Sequence, residues 1–450
     1  MTPLSVPPLS AISMALCVVF ILLVPLAAVG LSLINTGLCR SRSAAHTMLA
    51  SLCVIAIAAV VYTVCGFAWQ GYIGEPAHVF TLADKGWNWL AAERPFFLGL
   101  KLDGSPASLA AWLGMLSAGL AALIPLGSGT DRWRLSACCA STALLAGWTY
   151  PLFAHWVWGG GWLAQLGMNY GLGRGFVDAG GSGSIQVVGG LTALAMAWIL
   201  GPRRGKYAPE SMPAAIPGHN AVLVLFACFL ALLGWLGLNS AGAILFTGAQ
   251  PGRTVLVAVN TTLAAASAAL AAVAITRVRF GKPDASLSAN GWVGGLVASS
   301  APCAFIAPAE AILIGLIAGT LVTFSVEWFE LRLAVDDPGG AVSVHAVCGI
   351  WGLLAVGLFA HFPGRVLNVP AAPLQGAGSG DSGQLLAQLV GIATLIGFVL
   401  PLTYFLNWLL NWAYPQRVAA EGEQQGMDLY ELGAGAYPEF ITHTEDFTQR

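Results

Sequence analysis

Two short stretches place polar side chains inside segments of the chain that are otherwise apolar. The first is VDAGGSGSIQVVGG at residues 177–190, and the second is DDPGGAVSVHAVCG at residues 336–349. Both fit the pattern D-x-G-G-x4-[Q/H]-x-V-x-G, which places Gln186 and His345 each eight residues after an aspartate. Histidine exchanges a proton near neutral pH, whereas the glutamine amide only donates and accepts hydrogen bonds. The repeat indicates a shared polar site, and hydrogen bonding between helices is the alternative interpretation.

The residues around each polar group predict how it is positioned. Asp178 and Asp337 each come shortly before a pair of glycines, which is typical of a turn and a helix N-cap. The later glycines, such as Gly190 and Gly349, favour close contact between helix backbones. We therefore expect each polar side chain to lie about two helical turns beyond its cap.

The composition identifies the elements that must position these side chains. The chain is 57% hydrophobic and only 9% charged, with a mean hydropathy of +0.75, whereas soluble domains carry roughly 25% charged residues. This predicts an all-α polytopic membrane protein. The net charge of −2 gives no indication of nucleic-acid binding. The nine cysteines show no metal-binding spacing, and no catalytic nucleophile or cofactor motif is present, so we predict neither an enzyme nor a cofactor.

Eleven apolar segments are long enough to be read as transmembrane helices. They lie at about 9–35, 45–70, 106–127, 136–157, 185–201, 219–240, 254–276, 288–305, 309–331, 340–361 and 385–412. Most Lys and Arg residues follow odd-numbered segments or lie in the tail. By the positive-inside rule, this predicts an external N-terminus and a cytoplasmic C-terminus. The first basic residue is Arg40, which argues against a signal peptide.

The two motif copies fall on the fifth and tenth segments, so they enter the membrane with opposite orientation. This predicts an inverted repeat of about 9–201 and 219–361, followed by an extra helix at 385–412. Inverted repeats of this kind place a substrate site where the two halves meet. We therefore divide the chain into a transmembrane domain, 1–412, and a cytoplasmic tail, 413–450.

Several further motifs follow one another from the first segment to the tail. They are Arg40-Ser41-Arg42, AHWVWGGGW (154–162), FVDAGGSGSIQVVGG (176–190), PGHN (217–220), GWLGLNSAG (234–242), NGWVGGLVASSAPCAFIAP (290–308), DDPGGAVSVHAVCGIWG (336–352) and GMDLYELGAGAYP (426–438). With these motifs the chain resembles the Amt/Mep/Rh ammonium transporters, and within them the bacterial Amt branch. The resemblance implies a homotrimer of eleven-helix subunits in a bacterial-type inner (plasma) membrane, each subunit with its own pore for ammonium or ammonia. It also implies an outer vestibule, a gate of two phenylalanines and a pair of hydrogen-bonded histidines.

The resemblance assigns roles to individual residues. Trp158 and Trp235 match tryptophans of the family motifs at the vestibule and in the sixth segment, and Asp178 matches the structural aspartate outside the fifth. His345 matches the second pore histidine. The remaining matches are structural: Asp336, Asp337 and Asn239.

Four positions depart from the family pattern. Gln186 replaces the first pore histidine, Leu238 the inner gate phenylalanine, and Gly242 the vestibule serine, while Ser117 takes the place of the outer gate phenylalanine. A glutamine cannot titrate, so the pair cannot exchange a proton between two sites. Loss of the aromatic faces removes about 0.5–2 kcal/mol of cation–π attraction, which predicts weak binding of external ammonium.

Transport of ammonium or ammonia past Gln186 and His345 is the function that these residues predict. One alternative is an ammonium-sensing or regulatory relative with little or no conductance, and another is a channel for a different small neutral solute. The residues after 412 are too few for a fused output domain, so signalling would need a separate partner. The tail motif implies a PII-type signalling protein as one such partner, at the cytoplasmic face.

Overall fold

Long helices coincide with the apolar segments of the sequence. The structure is a computed structural model, and it describes residues 9–207, 212–362 and 382–437. Within these residues, we number the long helices Ala11–Leu38 (α1), Ser41–Gln70 (α2), Pro106–Gly129 (α3), Leu135–Trp158 (α4), Ser182–Leu200 (α5), Ala221–Thr247 (α6), Pro251–Phe280 (α7), Ala285–Ser300 (α8), Pro308–Arg332 (α9), Val342–Phe359 (α10) and Ser382–Ala413 (α11). All except α8 are long and apolar enough to cross a membrane. The prediction of an all-α polytopic membrane fold is confirmed.

Helix α8 differs from the predicted eighth segment in its length. It has 16 residues and gives way to turns over residues 301–306. At 1.5 Å per residue it spans about 24 Å, which is less than the roughly 30 Å of a bilayer core. Its residues from Ala289 onward are mostly buried, so α8 lies inside the bundle, where it needs no full lipid-spanning length.

A two-stranded β-hairpin, which the sequence analysis did not predict, lies between α2 and α3. Its strands are Ala77–Leu82 (β1) and Lys85–Ala91 (β2), paired antiparallel from Ala77 opposite Ala91 to Leu82 opposite Lys85. The turn residues Ala83 and Asp84 both have positive φ angles, as a two-residue hairpin turn requires. The Ala-Asp pair is not a strong turn signal, which is why the sequence pattern did not reveal the hairpin.

Polar residues just outside the apolar segments determine where several helices begin. The side chains of Ser10, Asn220 and Asp284 accept hydrogen bonds from backbone N–H groups in the first turns of α1, α6 and α8. Such caps satisfy N–H groups that have no partner inside the helix.

Small residues allow the helices to pack closely without long side chains between them. A Cβ on Gly30 of α1 would lie 2.7 Å from the backbone nitrogen of Ala231 on α6, and Gly234 of α6 meets Ala27 of α1 in the same way. Helices in a membrane are not driven together by the hydrophobic effect, so close backbone packing of this kind is what stabilises their association.

A buried ionic network joins the ends of α3 and α5 to the start of α10. Arg203 donates to both carboxylate oxygens of Asp336 at 2.9 Å and to Asp131 at 3.2 Å. Arg132 donates to the carbonyl oxygens of Gly201 (2.7 Å) and Asp336 (2.8 Å). Burial opposes the ionisation of Asp336, but the hydrogen bonds from Arg203 and the charge of Arg132 outweigh it and lower its pKa to about 2. The network fixes the backbone immediately before Asp337.

The tail residues that the structure describes, 413–437, pack against the N-terminal ends of α2 and α4. The carboxylate of Asp428 accepts from the backbone N–H groups of Ala45 (3.1 Å) and His46 (2.7 Å) at the start of α2. Glu431 contacts the ring of His46 at 2.7 Å and accepts from the N–H of Leu135 at 2.9 Å. The tail therefore caps two helices of its own chain. The remainder of the predicted tail, 438–450, lies outside the described residues.

Candidate functional site

The two motif copies form the turns that were predicted from their aspartates. Asp178 accepts three backbone hydrogen bonds, from Gly181 (2.9 Å), Gly183 (2.9 Å) and Ser184 (2.8 Å). Burial raises the pKa of Asp178, although these three donors favour the ionised form. Gly181 has a φ of +96°, a conformation that glycine adopts without strain.

Asp337 holds the corresponding turn before α10. One carboxylate oxygen accepts from the N–H of Val342 at 2.7 Å, and the other accepts from the hydroxyl of Ser128 at 2.5 Å. Gly340 has a φ of +67° and lies three residues after Asp337, as Gly181 lies three residues after Asp178. Both aspartates therefore cap the start of the helix that carries the polar residue.

Each helix then opens with a wide turn that presents the polar residue. Ser182–Val187 and Val342–Val347 are both π-helical, and Gln186 and His345 lie near their ends. Wide turns of this kind also occur within α2, α4 and α11, so what distinguishes these two is that they lie at the same position in the two motif copies. The two copies thus share the cap, the left-handed glycine and the π-helical turn, as a duplicated element would.

Gln186 and His345 meet between α5 and α10. The Oε1 atom of Gln186 lies 2.7 Å from Nδ1 of His345, and both side chains are buried. Because an amide oxygen only accepts, Nδ1 carries the hydrogen of this bond. Two polar atoms then remain for a third molecule: the amide nitrogen of Gln186, which has no partner among the described residues, and the ring nitrogen Nε2 of His345.

The glycines that follow each polar residue allow α5 and α10 to cross at this point. A Cβ on Gly349 would lie 2.6 Å from Cγ2 of Val187 and 2.7 Å from the carbonyl oxygen of Ser182. Gly190 meets the backbone of Ala346 equally closely. The predicted close contact is present, and it is what brings the glutamine and histidine side chains within hydrogen-bonding distance.

A cavity of about 120 Å³ lies at the end of the bundle where α4 ends and α5 begins. Trp158, Asp178 and Phe246 are among its lining residues, and Arg174 also lies at its edge. The indole N–H of Trp158 donates to the carbonyl oxygen of Asp178 at 2.7 Å. One face of Trp158 is covered by Phe246, whose ring is parallel at a centroid distance of 4.3 Å. We call this space the vestibule cavity.

Phe246 and Arg174 were not singled out from the sequence. Phe246 lies four residues after Gly242 on α6, so helical spacing from the family motif was the signal that could have identified it. For Arg174, which precedes α5 in a loop, we find no comparable sequence signal.

The other α6 residues singled out from the sequence pack within the bundle and do not line the vestibule cavity. The indole of Trp235 donates to the hydroxyl of Ser300 at 3.1 Å, and the amide of Asn239 donates to Thr261 at 2.9 Å. Leu238 is buried. Gly242 lies directly against the carbonyl oxygen of Ala179, where any side chain would collide.

Ser117 is fully buried on α3, and its hydroxyl has no hydrogen-bond partner among the described residues. Three other polar side chains surround this region: Tyr62, Gln70 and Tyr150. None of these three was identified from the sequence, because tyrosine and glutamine within apolar helices carry no spacing signal.

Comparison with known proteins identifies the family. The model of the Ammonium Transporter Family matches residues 15–437. The ammonium transporter Amt2 of Archaeoglobus fulgidus is 36% identical over 426 residues, which are 92% of this chain and 86% of that protein. Ammonium transporter 1 member 1 of Solanum lycopersicum is 35% identical over 347 residues, which are 72% of this chain and 68% of that protein.

Solved structures agree with this assignment. A structure described as a sensor Amt protein superposes with a TM-score of 0.81 at 27% identity, covering 93% of this chain and 98% of the other. Mep2 of Candida albicans gives a TM-score of 0.76 at 22% identity, covering 98% and 93%, which supports the fold alone. The curated relatives are transporters and not enzymes, as predicted. This chain belongs to the ammonium transporter family.

Proposed function

We propose that this protein conducts ammonium or ammonia across the membrane, and that each subunit passes its substrate at the Gln186–His345 pair. The observation that carries the proposal is the 2.7 Å contact between these two buried side chains. They are held by matching aspartate caps and π-helical turns. Buried polar groups within a membrane protein are costly and tend to mark a substrate pathway.

The pair suits a small molecule that both donates and accepts hydrogen bonds. The free amide N–H groups of Gln186 would donate to the lone pair of ammonia, and Nε2 of His345 would accept one of its hydrogens. Since glutamine cannot take up a proton, the pair cannot pass a proton from one ring to another. We therefore expect neutral ammonia at this point and little transfer of charge along with it.

Recruitment of the cation in the vestibule is expected to be weak. Phe246 already covers one face of Trp158, which leaves a single indole face for cation–π contact. Gly242 and Leu238, which stand where the family resemblance implies a serine and a phenylalanine, do not line the vestibule cavity and supply no ligand for the cation there. An elevated apparent KM for external ammonium follows from this arrangement.

We infer the assembly and the orientation from the same family. The homotrimer, a plasma-membrane location and an external N-terminus with a cytoplasmic tail are supported by family membership and by the distribution of basic residues. The inverted repeat of 9–201 and 219–361 is supported by the matching turns at Asp178 and Asp337. The extra helix at 385–412 is supported by α11, and the division from a tail at 413–450 by the end of α11 at Ala413. A PII-type protein at the tail is supported by the GMDLYELGAGAYP motif alone.

Uptake of radiolabelled methylammonium into proteoliposomes tests the transport proposal. We expect the wild-type protein to accumulate label faster than empty liposomes, and Gln186→Leu to lose most of that uptake because the substituted side chain cannot hydrogen-bond. Ser51→Ala serves as the control, since its hydroxyl bonds only to Thr47 within α2. Absence of uptake by folded wild-type protein would contradict the proposal.

Ammonium sensing is the second candidate function. It is supported by the likeness to a structure described as a sensor Amt protein and by tail contacts that reach the starts of α2 and α4. In this alternative, ammonium binds without net uptake and the tail changes its position. Binding of ammonium together with absent methylammonium uptake would favour it over transport.

A further inference from the structure

Three polar groups buried beside α3 have no hydrogen-bond partner among the residues that the structure describes. They are the hydroxyl of Ser117, the hydroxyl of Tyr150 and the amide nitrogen of Gln70. All three side chains are fully buried. An unsatisfied buried polar group costs about 1–3 kcal/mol, and native proteins usually satisfy such groups with a bound molecule when protein partners are missing.

These groups belong to one cluster. The position of a Cβ on Gly114 of α3 lies 3.1 Å from the amide nitrogen of Gln70 and 2.8 Å from Cζ of Tyr62. Ser117 follows Gly114 by three residues, which places it on the same face of α3. The ring of Tyr150 lies 6.2 Å from that of Tyr62. We call Ser117, Tyr150, Gln70 and Tyr62 the gate-level cluster.

Contacts within the cluster orient its free atoms. The hydroxyl of Tyr62 donates to Oε1 of Gln70 at 2.8 Å, and if the amide turns, the same hydroxyl can accept a hydrogen bond from Nε2. The hydroxyls of Ser117 and Tyr150 are both buried, and neither makes a hydrogen bond to another described residue. Within the described residues, the cluster therefore has one unpaired polar atom on each of α2, α3 and α4: Nε2 of Gln70 and the hydroxyls of Ser117 and Tyr150.

The cluster lies deeper than the vestibule cavity. Tyr150 precedes Trp158 by eight residues on α4, which corresponds to about 12 Å along the helix. None of the four cluster residues lines the vestibule cavity. A molecule in the cluster would thus sit below the vestibule, at the depth where the family resemblance implies a phenylalanine gate.

We propose that the gate-level cluster is a buried ammonium-binding site, in which Ser117 and Tyr150 accept hydrogen bonds from the cation. The rings of Tyr62 and Tyr150 supply aromatic faces that attract a cation, and the Gln70 amide can turn to present its oxygen. The inference deepens the proposed function and rests on it, since ammonium must first enter from the vestibule. In this proposal Ser117, which stands where the family resemblance implies the outer gate phenylalanine, is a ligand of the cation.

Binding of ammonium chloride to the purified full-length protein in lipid nanodiscs tests the site, measured by isothermal titration with sodium chloride as the ionic blank. We expect Ser117→Ala and Tyr150→Phe each to weaken ammonium binding about tenfold, the loss of one hydrogen bond to a charged group. Ser117→Thr keeps a hydroxyl and should bind like the wild type. Ser51→Ala, which removes a buried hydroxyl that is already satisfied in its own helix, should have no effect.

Two results would overturn the site. One is ammonium affinity unchanged in both Ser117→Ala and Tyr150→Phe, and the other is an equal loss of affinity in Ser51→Ala. Thermal unfolding of each variant confirms that the protein is folded. Methylammonium uptake by wild-type protein in the same preparation reports on transport separately, so uptake with unaltered binding in the variants overturns this site and leaves the proposed function standing.

Discussion

The substitution Asp178→Ala tests how strongly one carboxylate holds the turn that positions Gln186. Asp178 accepts three backbone N–H groups at 2.8–2.9 Å, and all of them are buried. Each donor left without a partner costs about 1–2 kcal/mol, so the loss of all three should destabilise the protein by roughly 3–6 kcal/mol. The released turn should also move Gln186 away from His345 and abolish uptake.

Asp178→Asn should have an intermediate effect. The amide oxygen can keep the two bonds from Gly183 and Ser184, but the amide nitrogen then faces the N–H of Gly181 with no acceptor between them. We expect a loss of about 2 kcal/mol. Asp284→Ala is the matched control, because Asp284 caps α8 through a single backbone N–H, that of Leu287 at 2.8 Å, and its loss costs about 1 kcal/mol.

Unfolding of the purified protein by a denaturant series, followed by tryptophan fluorescence, measures these differences. The expected order of stability is wild type, Asp284→Ala, Asp178→Asn and Asp178→Ala. If Asp178→Ala is as stable as Asp284→Ala, the three hydrogen bonds do not hold the turn, and the reasoning fails.

Three further predictions follow from other contacts. The pKa of Asp336 is lowered from 3.8 to about 2. The ionised carboxylate should therefore add about 2 kcal/mol to the free energy of unfolding above pH 4, and this should be lost as the pH falls towards 2. Asp336→Asn should lack that loss in a pH series of thermal unfolding. Gly349→Ala should push α10 away from α5, because the new methyl group would lie 2.6 Å from Val187, and should lower methylammonium uptake several-fold. Asp428→Ala removes two caps on α2 and should make the tail more sensitive to limited proteolysis.

Each of these has a clear contrary outcome. An acid-induced loss of stability that is equal in wild type and Asp336→Asn would exclude the carboxylate as its source. Normal uptake by Gly349→Ala would mean that the helix crossing does not position the polar pair. Cleavage of Asp428→Ala at the wild-type rate would show that the two caps do not hold the tail.

Much of the fold follows from the sequence because helix length and apolar content are local properties. The segment 106–127 became α3 at Pro106–Gly129 and the segment 254–276 became α7 at Pro251–Phe280. The short α8 was harder to predict, because its length depends on burial by neighbouring helices. The β-hairpin was missed because its Ala-Asp turn lacks the usual Asn-Gly or Asp-Gly signal.

The site was predicted where a repeated motif marked it and missed where only packing creates it. Gln186 and His345 were paired from the motif spacing, and the structure brings them to 2.7 Å. The stacking of Phe246 on Trp158 depends on how α4 and α6 are placed, which no local pattern records. The gate-level cluster likewise combines residues of α2, α3 and α4 that are far apart in sequence.

The most direct test of the central claim is the methylammonium-evoked current of wild type and Gln186→His on a solid-supported membrane, with methylammonium uptake measured in the same proteoliposomes. The account predicts that the wild type takes up methylammonium with little charge per molecule, and that Gln186→His, which restores a second titratable ring, raises the charge carried per molecule. Equal charge per molecule in the two proteins would contradict the claim that this pair controls how the substrate crosses.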